Sequence, residues 1–560
     1  MDKKSTTLKL QKEIDRLKKS IKKQRYGLVW MDVPEAFEDD VENKLPILKE
    51  VPKLAIKNND GKPTHILIEG DNYHALTCLN YTHRGKIDVI YIDPPYNTGS
   101  DAFRYKDKRI IDKFPDGTLV PKEHPFRHSY WLSFMRKRLE LARDLLKDTG
   151  VIFISIDDNE VAQLKLLCNE IFQENNVEIY IWNVKDESEG AMPKTPKYTV
   201  RKEHEYLVTC FKNKNKIKFK QYIENRYMKN KDWNNPDNDP RGSWMSGNIS
   251  RGLKGKPGSN FFTIETPSGK KYTRNWSISK EEYTELLKDN RIYFSKKGSG
   301  VPRIKIFQLE ARQVTQSSIF SNLKSSISGT KIIVEILGKC DFEHPKSVEL
   351  IKRIIKIASD KNSIVLDFFA GTGTTGHAVL DLNKEDGKRQ FILITNNENK
   401  IMSEICYPRL EKVINGYKNQ KRENVKGLGN SLKYYKTAFI GKHNILNAID
   451  EDKVELAYNA GELLAIAEDT LELVKQNKYY QLFEDGNKER YTAIYFREEL
   501  DKFEEFVEMI EKLKKKVAIY IFSWGDEGFS DDFNHIKDAR IKTIPKPILE
   551  IYKNIYNLGA

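Results

Sequence analysis

The sequence predicts an α/β fold built on a parallel sheet, and three apolar stretches support that prediction. Residues 86–92, 363–366 and Gln390–Thr395 are short runs rich in isoleucine, valine and leucine. Such runs are typical of strands that are buried on both faces of a parallel sheet. Two of the three runs end at an aspartate, Asp93 or Asp367. Because ligands bind beyond the carboxyl ends of strands in open α/β sheets, we expect the functional site there.

Composition and charge limit the class of protein. The 560 residues suffice for several domains, and no apolar run is long enough to span a bilayer, so no membrane association is predicted. The first residues lack the pattern of a signal peptide. The net charge of +14 suits a polyanionic partner, although a lysine-rich composition alone does not identify one. The five isolated cysteines predict no metal site and no disulfide framework, and the cytoplasm is the expected location.

The N-terminal extension, residues 1–55, is predicted to hold one basic helix over residues 3–25, followed by a connector. The helix carries a narrow apolar stripe made of Leu10, Ile14, Leu17 and Ile21. This stripe could pack against the body of the protein, or it could pair two copies of the chain as a homodimer. The sequence does not decide between these two roles.

The first half of the α/β fold is predicted over residues 56–212. A strand at residues 65–69 turns through Gly70 and Asp71 into a helix, and Asp71 is well placed to cap that helix. A later amphipathic helix is predicted to start at a Ser129 cap and to end at Gly150. Its basic cluster of Arg136, Lys137 and Arg138 is predicted to be a solvated face. Further strands are expected at residues 151–156, 178–182 and 204–211.

The sequence Asp93-Pro94-Pro95-Tyr96 follows the strand at residues 86–92. Two successive prolines forbid both helix and ladder pairing, so the strand must end in a stiff, extended loop. This loop would present Asp93 and Tyr96 as a rigid pair of an acid and an aromatic ring. A strand followed by Asp-Pro can also be an ordinary turn, but the combination of all four residues favours a functional site.

The middle segment, residues 213–335, differs in character from its neighbours. Basic residues alternate there with aromatic ones, as in Lys231, Trp233, Arg241, Trp244, Lys270, Tyr272 and Arg274. Lysine and arginine neutralise phosphates, and aromatic side chains can reach bases or pack locally. Neither zinc-finger spacing nor a helix-turn-helix pattern occurs in this segment.

A second half of the α/β fold is predicted over residues 336–428. A helix at residues 348–358 precedes the strand that ends at Asp367, and a glycine-rich turn with Phe369, Gly371, Thr372, Gly373 and Thr374 follows. Glycines let the backbone approach a ligand closely, and the N–H groups of the next helix favour acceptor-rich groups. The next strand ends near Glu398, where a carboxylate could hold a pair of ribose hydroxyls. Beyond residue 429, helical runs and one late strand at residues 517–522 carry no catalytic motif.

These motifs resemble those of the amino-methyltransferases of DNA, which use S-adenosylmethionine. The sequence Asp93-Pro94-Pro95-Tyr96 looks like their catalytic motif, and residues 367–373 look like their cosubstrate motif. The catalytic motif comes first, which marks the permuted β class with its inserted target-recognition domain. Residues 67–72, 97–99 and 150–160 look like the modification subunits of type III restriction systems. The resemblance implies a Rossmann-like methyltransferase fold, with residues 213–335 as the recognition domain and residues 429–560 as a C-terminal interaction domain.

The resemblance also implies roles for individual residues. Asp93 and the Pro94 carbonyl would accept hydrogen bonds from the target amine. Pro94 and Pro95 would fix the direction of that carbonyl. Tyr96 would stack on a flipped-out base, with Asn97 and Phe103 as further contacts to DNA. The cosubstrate would be held by Asp367, Phe369, Gly371, Thr372, Gly373, Thr374 and Glu398. Asp71 either accepts a hydrogen bond from the cosubstrate's adenine or only caps its helix.

The expected substrate is N6 of adenine in double-stranded DNA, because Asp rather than Ser precedes Pro-Pro-Tyr in the adenine-specific members. Cytosine N4 is the second candidate base. No Gly-x-x-x-x-Gly-Lys-Ser/Thr loop occurs, so ATP-driven cleavage would need a separate restriction subunit. The same motifs are also compatible with a methyltransferase without a restriction partner, with one that acts on RNA, and with a catalytically silent DNA-binding subunit.

Overall fold

The computed structural model describes twelve stretches of the chain. They are residues 44–58, 60–98, 128–184, 203–223, 233–251, 258–308, 313–321, 323, 326–385, 387–443, 445–524 and 529–557. The predicted N-terminal helix and Phe103 lie outside the described residues. The chain divides into two compact units, one formed by Met1–Lys218 with Ser317–Ala560 and the other by Phe219–Gln316.

The described residues form a mixed α/β protein. The strands are β1 (Leu45–Glu50), β2 (Thr64–Glu69), β3 (Ile87–Ile92), β4 (Leu146–Ile156), β5 (Val177–Asn183), β6 (His204–Phe211), β7 (Tyr222–Ile223), β8 (Trp244–Asn248), β9 (Phe261–Glu265), β10 (Lys271–Asn275), β11 (Ile292–Tyr293), β12 (Arg303–Phe307), β13 (Gln313–Val314), β14 (Ile319–Phe320), β15 (Ile364–Asp367), β16 (Gln390–Thr395), β17 (Gly416–Lys418), β18 (Asn424–Lys426), β19 (Ser431–Ile440), β20 (Glu472–Gln476), β21 (Tyr480–Glu484), β22 (Arg490–Tyr495), β23 (Lys516–Phe522) and β24 (Ala539–Ile544). The helices are α1 (Asn72–Thr82), α2 (Ser129–Leu145), α3 (Val161–Phe172), α4 (Lys280–Lys288), α5 (Ser295–Gly298), α6 (Ser326–Leu337), α7 (Val348–Ala358), α8 (Thr374–Glu385), α9 (Tyr407–Asn415), α10 (Asp450–Tyr458), α11 (Gly461–Glu468), α12 (Phe503–Leu513), α13 (Ser530–Phe533) and α14 (Lys546–Asn557).

A ten-stranded sheet forms the centre of the larger unit, and it confirms the predicted α/β class. Its strand order is β1-β19-β2-β16-β15-β3-β4-β6-β5-β14. The six neighbouring strands from β19 to β4 run parallel, whereas β6 pairs antiparallel with both β4 and β5. The parallel strands bring the residues that follow β2, β3, β15 and β16 to one edge of the sheet. The strands before the two motifs are therefore neighbours, although about 270 residues of sequence separate them.

The prediction for the ends of helix α2 was wrong. The residue at the N-cap is His128, Ser129 already lies inside the helix, and the helix ends at Leu145. Gly150 lies within β4, beside an irregularity in the pairing with β3. A Cβ atom at Gly150 would come within 2.9 Å of the Ile87 carbonyl oxygen. Close approach of two strands therefore accounts for this glycine.

The predicted boundary near residue 429 does not separate two structural units. Strand β19 lies inside the large sheet between β1 and β2, so the segment that follows residue 429 completes this sheet. Residues 44–50, predicted as part of a connector, supply β1 at the edge. A second sheet of five strands, β20 to β24, follows where the sequence pattern predicted only one strand. Its first strand is largely exposed and polar, so it carries little hydrophobic pattern.

The C-terminal segment shares a hydrophobic core with the large sheet. Helices α11 and α14 pack on α1, and buried residues of both segments form one continuous cluster. The hydroxyl of Tyr552 donates to the Pro46 carbonyl at 3.1 Å, which ties the last helix to the first strand. No helix within the described ranges is both long and apolar enough to cross a membrane.

The smaller unit, residues 219–316, lies within the segment predicted for target recognition. It holds a three-stranded antiparallel sheet of β11, β12 and β8, a hairpin of β9 and β10, and a small core around Trp276. Two of its cations are held internally. Buried Lys305 pairs with Asp237 and Asp239, and Arg241 pairs with Asp239 and Asp289.

Candidate active site

A cavity of about 410 Å³ lies at the carboxyl edge of the large sheet. Predicted site residues that line it are Asp71, Asp93, Pro95, Tyr96, Asp367, Phe369, Gly371, Thr372, Thr374 and Glu398. Pro94, Asn97 and Gly373 do not line it. The cavity thus joins residues of both motifs, because β3 and β15 are adjacent strands. Two further lining residues, Glu205 and Lys346, make direct contacts with the catalytic motif, and the sequence pattern assigned no role to Glu205.

Asp93 follows the last residue of β3 and faces a buried cation. Its Oδ1 lies 3.3 Å from Nζ of Lys346, and 28% of its side chain remains exposed. Burial raises the pKa of Asp93, Lys346 opposes that rise, and the nearby carboxylate of Glu205 adds to it. The carboxylate is therefore an acceptor whose protonation state depends on the charged groups around it.

Tyr96 is held at its hydroxyl end. The hydroxyl donates to Oε2 of Glu205 at 3.0 Å and accepts from Nζ of Lys346 at 2.8 Å. The indole N–H of Trp131 also holds the Asp93–Tyr96 loop, because it donates to the Pro95 carbonyl at 2.8 Å. Pro94 is buried. Asp93 is therefore the acceptor of this motif that the structure presents to the cavity.

Asn97 closes the loop on the side away from the cavity. Its backbone has a φ of 59°, a left-handed conformation that asparagine adopts more readily than most residues. The side-chain amide donates to Oε1 of Glu160 at 2.5 Å, and His128 Nδ1 lies 2.7 Å from the same oxygen. In this structure, Asn97 holds the loop in place.

Asp367 organises the start of the glycine turn. Oδ1 accepts from the Phe369 backbone N–H at 3.0 Å, and Oδ2 accepts from the Thr375 hydroxyl at 2.6 Å. Burial raises the pKa of Asp367 to about 7. The two hydrogen bonds lower this pKa in part, and the charge of Asp93 raises it further. The turn itself needs glycine, because Gly371 and Gly373 have φ values of 49° and 75°.

A buried arginine fixes the turn from behind. Arg409 on α9 donates to the Thr372 carbonyl at 3.1 Å, to the Thr372 hydroxyl at 3.1 Å and to the Thr374 hydroxyl at 2.9 Å. Burial lowers the pKa of Arg409 to about 10. Sequence reasoning missed this residue because nothing near Arg409 in the chain marks it as part of the turn.

Asp71 caps a helix, which is one of the two roles that the sequence left open, and it also lies in the wall of the cavity. It lines the cavity, and its Oδ1 accepts from the Tyr73 backbone N–H at 2.7 Å as the N-cap of α1. The guanidinium of Arg138 lies 3.5 Å from this carboxylate and donates to Asn72 at 2.5 Å. Asn72 in turn donates to the Phe368 carbonyl at 3.0 Å. The prediction of a solvated Arg138 was wrong, because this side chain is fully buried.

Aromatic and acidic groups complete the wall near the glycine turn. The rings of Phe134 and Phe369 lie with their centroids 5.9 Å apart, and both residues line the cavity. Glu398 begins the short helical turn Glu398–Lys400 after β16. The cavity therefore offers aromatic faces for a flat ring, and carboxylates for amine and hydroxyl groups.

Comparison with known proteins places the chain among enzymes that modify DNA. Residues 87–407 match the family model of the N6/N4 methyltransferases, described as DNA methylase. The chain is 37% identical to the type III restriction-modification enzyme StyLTI Mod subunit of Salmonella typhimurium, over 63% of this chain and 56% of the relative. It is 30% identical to the EcoPI Mod subunit of Escherichia phage P1, over 68% of this chain and 64% of the relative. The chain thus spans less than two thirds of these Mod subunits.

A type II methyltransferase shares a larger part of its own length. M.KpnI of Klebsiella pneumoniae is 31% identical, over 60% of this chain and 82% of the relative. Among solved structures, the M1.HpyAVI–SAM complex matches 62% of this chain and 98% of its own, at 17% identity and a TM-score of 0.27. A score this low adds nothing to the assignment.

Proposed function

The chain belongs to the N6/N4 family of DNA methylases, and we propose that it methylates N6 of adenine in double-stranded DNA. One observation carries this proposal. The acid and ring of the Asp93–Tyr96 loop open into the same cavity as the glycine turn after Asp367. A methyl donor held at the turn and an amine held at Asp93 would therefore meet in one cavity.

The residues present fit S-adenosylmethionine as the methyl donor. A Cβ atom at Gly371 would meet nothing closer than 3.8 Å, so the turn leaves a cradle that a ligand can enter. Phe134 and Phe369 offer faces for a purine, Glu398 suits ribose hydroxyls, and Asp71 suits an amine. When bound, S-adenosylmethionine supplies a methyl group attached to a positively charged sulfur.

Asp93 would activate the target amine by accepting a hydrogen bond from one of its two N–H groups. The N6 lone pair of adenine is conjugated with the ring, and an acceptor that favours a tetrahedral nitrogen makes this lone pair available. Transfer would form a bond between this nitrogen and the methyl carbon while the carbon–sulfur bond of the donor breaks, and the bonding electrons would go to sulfur. One N–H proton then leaves the nitrogen, with Asp93 as the nearest base. We propose the Pro94 carbonyl as the second acceptor, although Pro94 does not line the cavity in this structure.

Tyr96 would stack on the target base. An adenine inside a duplex cannot reach the cavity, so the base must leave the helix, at a cost of a few kcal/mol. The Tyr96 ring, held by Glu205 and Lys346, can offset part of this cost through stacking of about 1–3 kcal/mol.

The smaller unit, residues 219–316, is our candidate for reading the DNA sequence. Arg241 and Lys305 neutralise aspartates within the unit, so they are poor candidates for phosphate contacts. Lys270 and Arg274 flank the ring of Tyr272, with their charged ends 5.1 and 5.3 Å from its centroid. Lys270 is exposed, and this group on the β9–β10 hairpin is the better candidate.

We also propose a biological setting from the likeness to Mod subunits. The chain would act in the cytoplasm as the modification subunit of a type III restriction-modification system. A separate restriction subunit would cut DNA, and two copies of this chain would form a homodimer.

Single-molecule sequencing of DNA from a methylation-free host that expresses the chain tests the proposed reaction. We expect N6-methyladenine on one strand of a short asymmetric site. Asp93→Ala should lower methylation about 10²- to 10³-fold, because the acceptor is lost from the site. Asp148→Asn, on an exposed aspartate far from the motif, should leave it unchanged. Methylation at cytosine N4 would correct the base, and an active Asp93→Ala variant would reject the role of Asp93.

A further inference from the structure

We propose that Lys346 is a positioning residue of the methyl-transfer site, which keeps the Asp93 carboxylate in its hydrogen-bond-accepting form, and that Glu205 opposes this effect while it anchors Lys346. This inference rests on the proposed function and extends it to two residues outside the catalytic motif. Neither residue needs to touch the reacting atoms.

The geometry places one ammonium group against three partners. Nζ of Lys346 lies 2.8 Å from the Tyr96 hydroxyl, 2.9 Å from Oε2 of Glu205 and 3.3 Å from Oδ1 of Asp93. The contacts to Tyr96 and Glu205 are hydrogen bonds, whereas the contact to Asp93 is an ion pair. Asp93 Oδ1 is buried and accepts no hydrogen bond from the described residues. The same ammonium lies 5.9 Å from the ring of Trp182, which closes one side of the group.

The four residues come from three distant segments of the chain. Asp93 and Tyr96 follow β3, Glu205 lies on the antiparallel strand β6, and Lys346 precedes α7. Only 8% of the Lys346 side chain is exposed. Taking charged groups out of water costs several kcal/mol for each ion, and well-packed apolar residues are often as stable. Stability alone therefore does not account for a buried cation here, whereas a requirement for an ionised Asp93 does.

The protonation state of Asp93 decides whether it can act. As a carboxylate, Asp93 accepts a hydrogen bond from the amine. A protonated carboxyl would instead donate a hydrogen bond to the nitrogen lone pair that must attack the methyl group. Burial and the charge of Glu205 favour the protonated form, and Lys346 favours the carboxylate. The hydroxyls of Tyr91 and Tyr96 and the carboxyl of Asp367 also face this site. Lys346 supplies the positive charge of the described group.

The two neighbours of Asp93 therefore predict pH shifts of opposite sign. Without Lys346, the pKa of Asp93 rises, and the acidic limb of the rate profile moves to higher pH. Without the charge of Glu205, the pKa of Asp93 falls, and that limb moves to lower pH. An opposite charge within about 4–6 Å shifts a carboxyl pKa by roughly 1–3 units, so the movement for the loss of Lys346 should be about one unit or more.

The experiment measures single-turnover methylation by the full chain between pH 5.5 and 9, on DNA that carries the site found by sequencing. We expect Lys346→Met to lose roughly tenfold in rate at the midpoint of the wild-type acidic limb, and to recover toward pH 9. Glu205→Gln should move the limb the other way. Lys346→Arg keeps the charge and should restore most of the wild-type profile. Lys352→Met removes a lysine on α7 that pairs with Asp381 and Glu385, and it should change nothing.

Binding and folding controls separate the possible failures. Calorimetric titration with S-adenosylmethionine should give nearly the same affinity for Lys346→Met and for the wild type, which would show that the variant is folded. A loss by the same factor at every pH would reduce Lys346 to a packing role and overturn the inference. Limbs that move in the same direction for Lys346→Met and Glu205→Gln would also overturn it. A wild-type chain that methylates no DNA would reject the proposed function, and this inference with it.

Discussion

At the scale of single residues, this site depends on charged groups taken out of water. Asp93, Asp367 and Lys346 all line the cavity, and the pKa of each is raised. Burial raises the pKa of Asp93 and of Asp367, whereas the nearby carboxylates raise the pKa of Lys346. For Lys346, burial opposes the charge, and Asp93 and Glu205 together outweigh it. Perturbed pKa values of this kind concentrate where a protein performs chemistry.

The raised pKa of Asp367 predicts that cosubstrate binding depends on pH. S-adenosylmethionine is cationic, so it should favour the ionised form of Asp367, whose pKa is about 7. Above pH 7 the carboxylate is already ionised. Below pH 7, binding must displace a proton, and affinity should fall up to about tenfold per pH unit.

Titration calorimetry between pH 5.5 and 8.5 checks this prediction. Asp367→Asn cannot ionise, so its affinity should be lower at pH 8 and nearly independent of pH. Asp381→Asn, on the neighbouring helix α8, serves as a control with the wild-type profile. An unchanged pH dependence in Asp367→Asn would assign the titration to another group.

At the scale of elements, the turn between β15 and α8 contains two glycines that are needed for different reasons. Both Gly371 and Gly373 have positive φ, so alanine at either position costs about 1–2 kcal/mol of backbone strain. The surroundings differ, because a Cβ at Gly373 would lie 3.2 Å from Sγ of Cys406, whereas a Cβ at Gly371 meets nothing closer than 3.8 Å.

This difference predicts separate outcomes for two alanine variants. Gly373→Ala should lower the melting temperature more, since its methyl group presses on the packed helix behind the turn. Gly371→Ala should lose more affinity for S-adenosylmethionine, since its methyl group occupies the cradle. Thermal melting and titration of both variants measure the two effects. Equal losses of stability and affinity in the two variants would contradict this division.

The elements that the sequence predicted well are those whose signal is local. The bounds predicted for β6, α7 and β16 match the structure, because hydrophobic period and turn residues mark them within a few positions. Gly150 shows the limit of such reasoning. A glycine after a helical run suggests a helix end, but the reason for this one is a strand contact with Ile87.

The site was predictable as two loops but not as a network. Asp93, Tyr96 and Asp367 stand in recognisable motifs, but the contact between Lys346 and Tyr96, which lie 250 residues apart in the chain, arises only from the order of the strands. Arg138 was predicted to lie on a solvated face and Arg409 was not singled out, yet both are fully buried. Packing between distant parts of the chain decides whether such a cation is buried, and the pattern of neighbouring residues carries no information about that packing.

At the scale of the whole molecule, the cavity belongs to one of the two units. Every residue that lines it falls within Met1–Lys218 or Ser317–Ala560. Strand β19 lies next to β2, and helices α11 and α14 pack on α1, so the C-terminal segment supports the same sheet. The unit of residues 219–316 has its own core around Trp276.

This division predicts that cosubstrate binding and DNA recognition can be separated. Replacement of residues 219–316 by a short Gly-Ser linker should leave the affinity for S-adenosylmethionine within about threefold, because no lining residue is removed. The same variant should lose sequence-specific DNA binding. Truncation after residue 428 should abolish cosubstrate binding, because it removes β19 and exposes the apolar side of α1. Calorimetry and DNA mobility shifts distinguish these outcomes, and a linker variant that still methylates the wild-type site would place recognition outside residues 219–316.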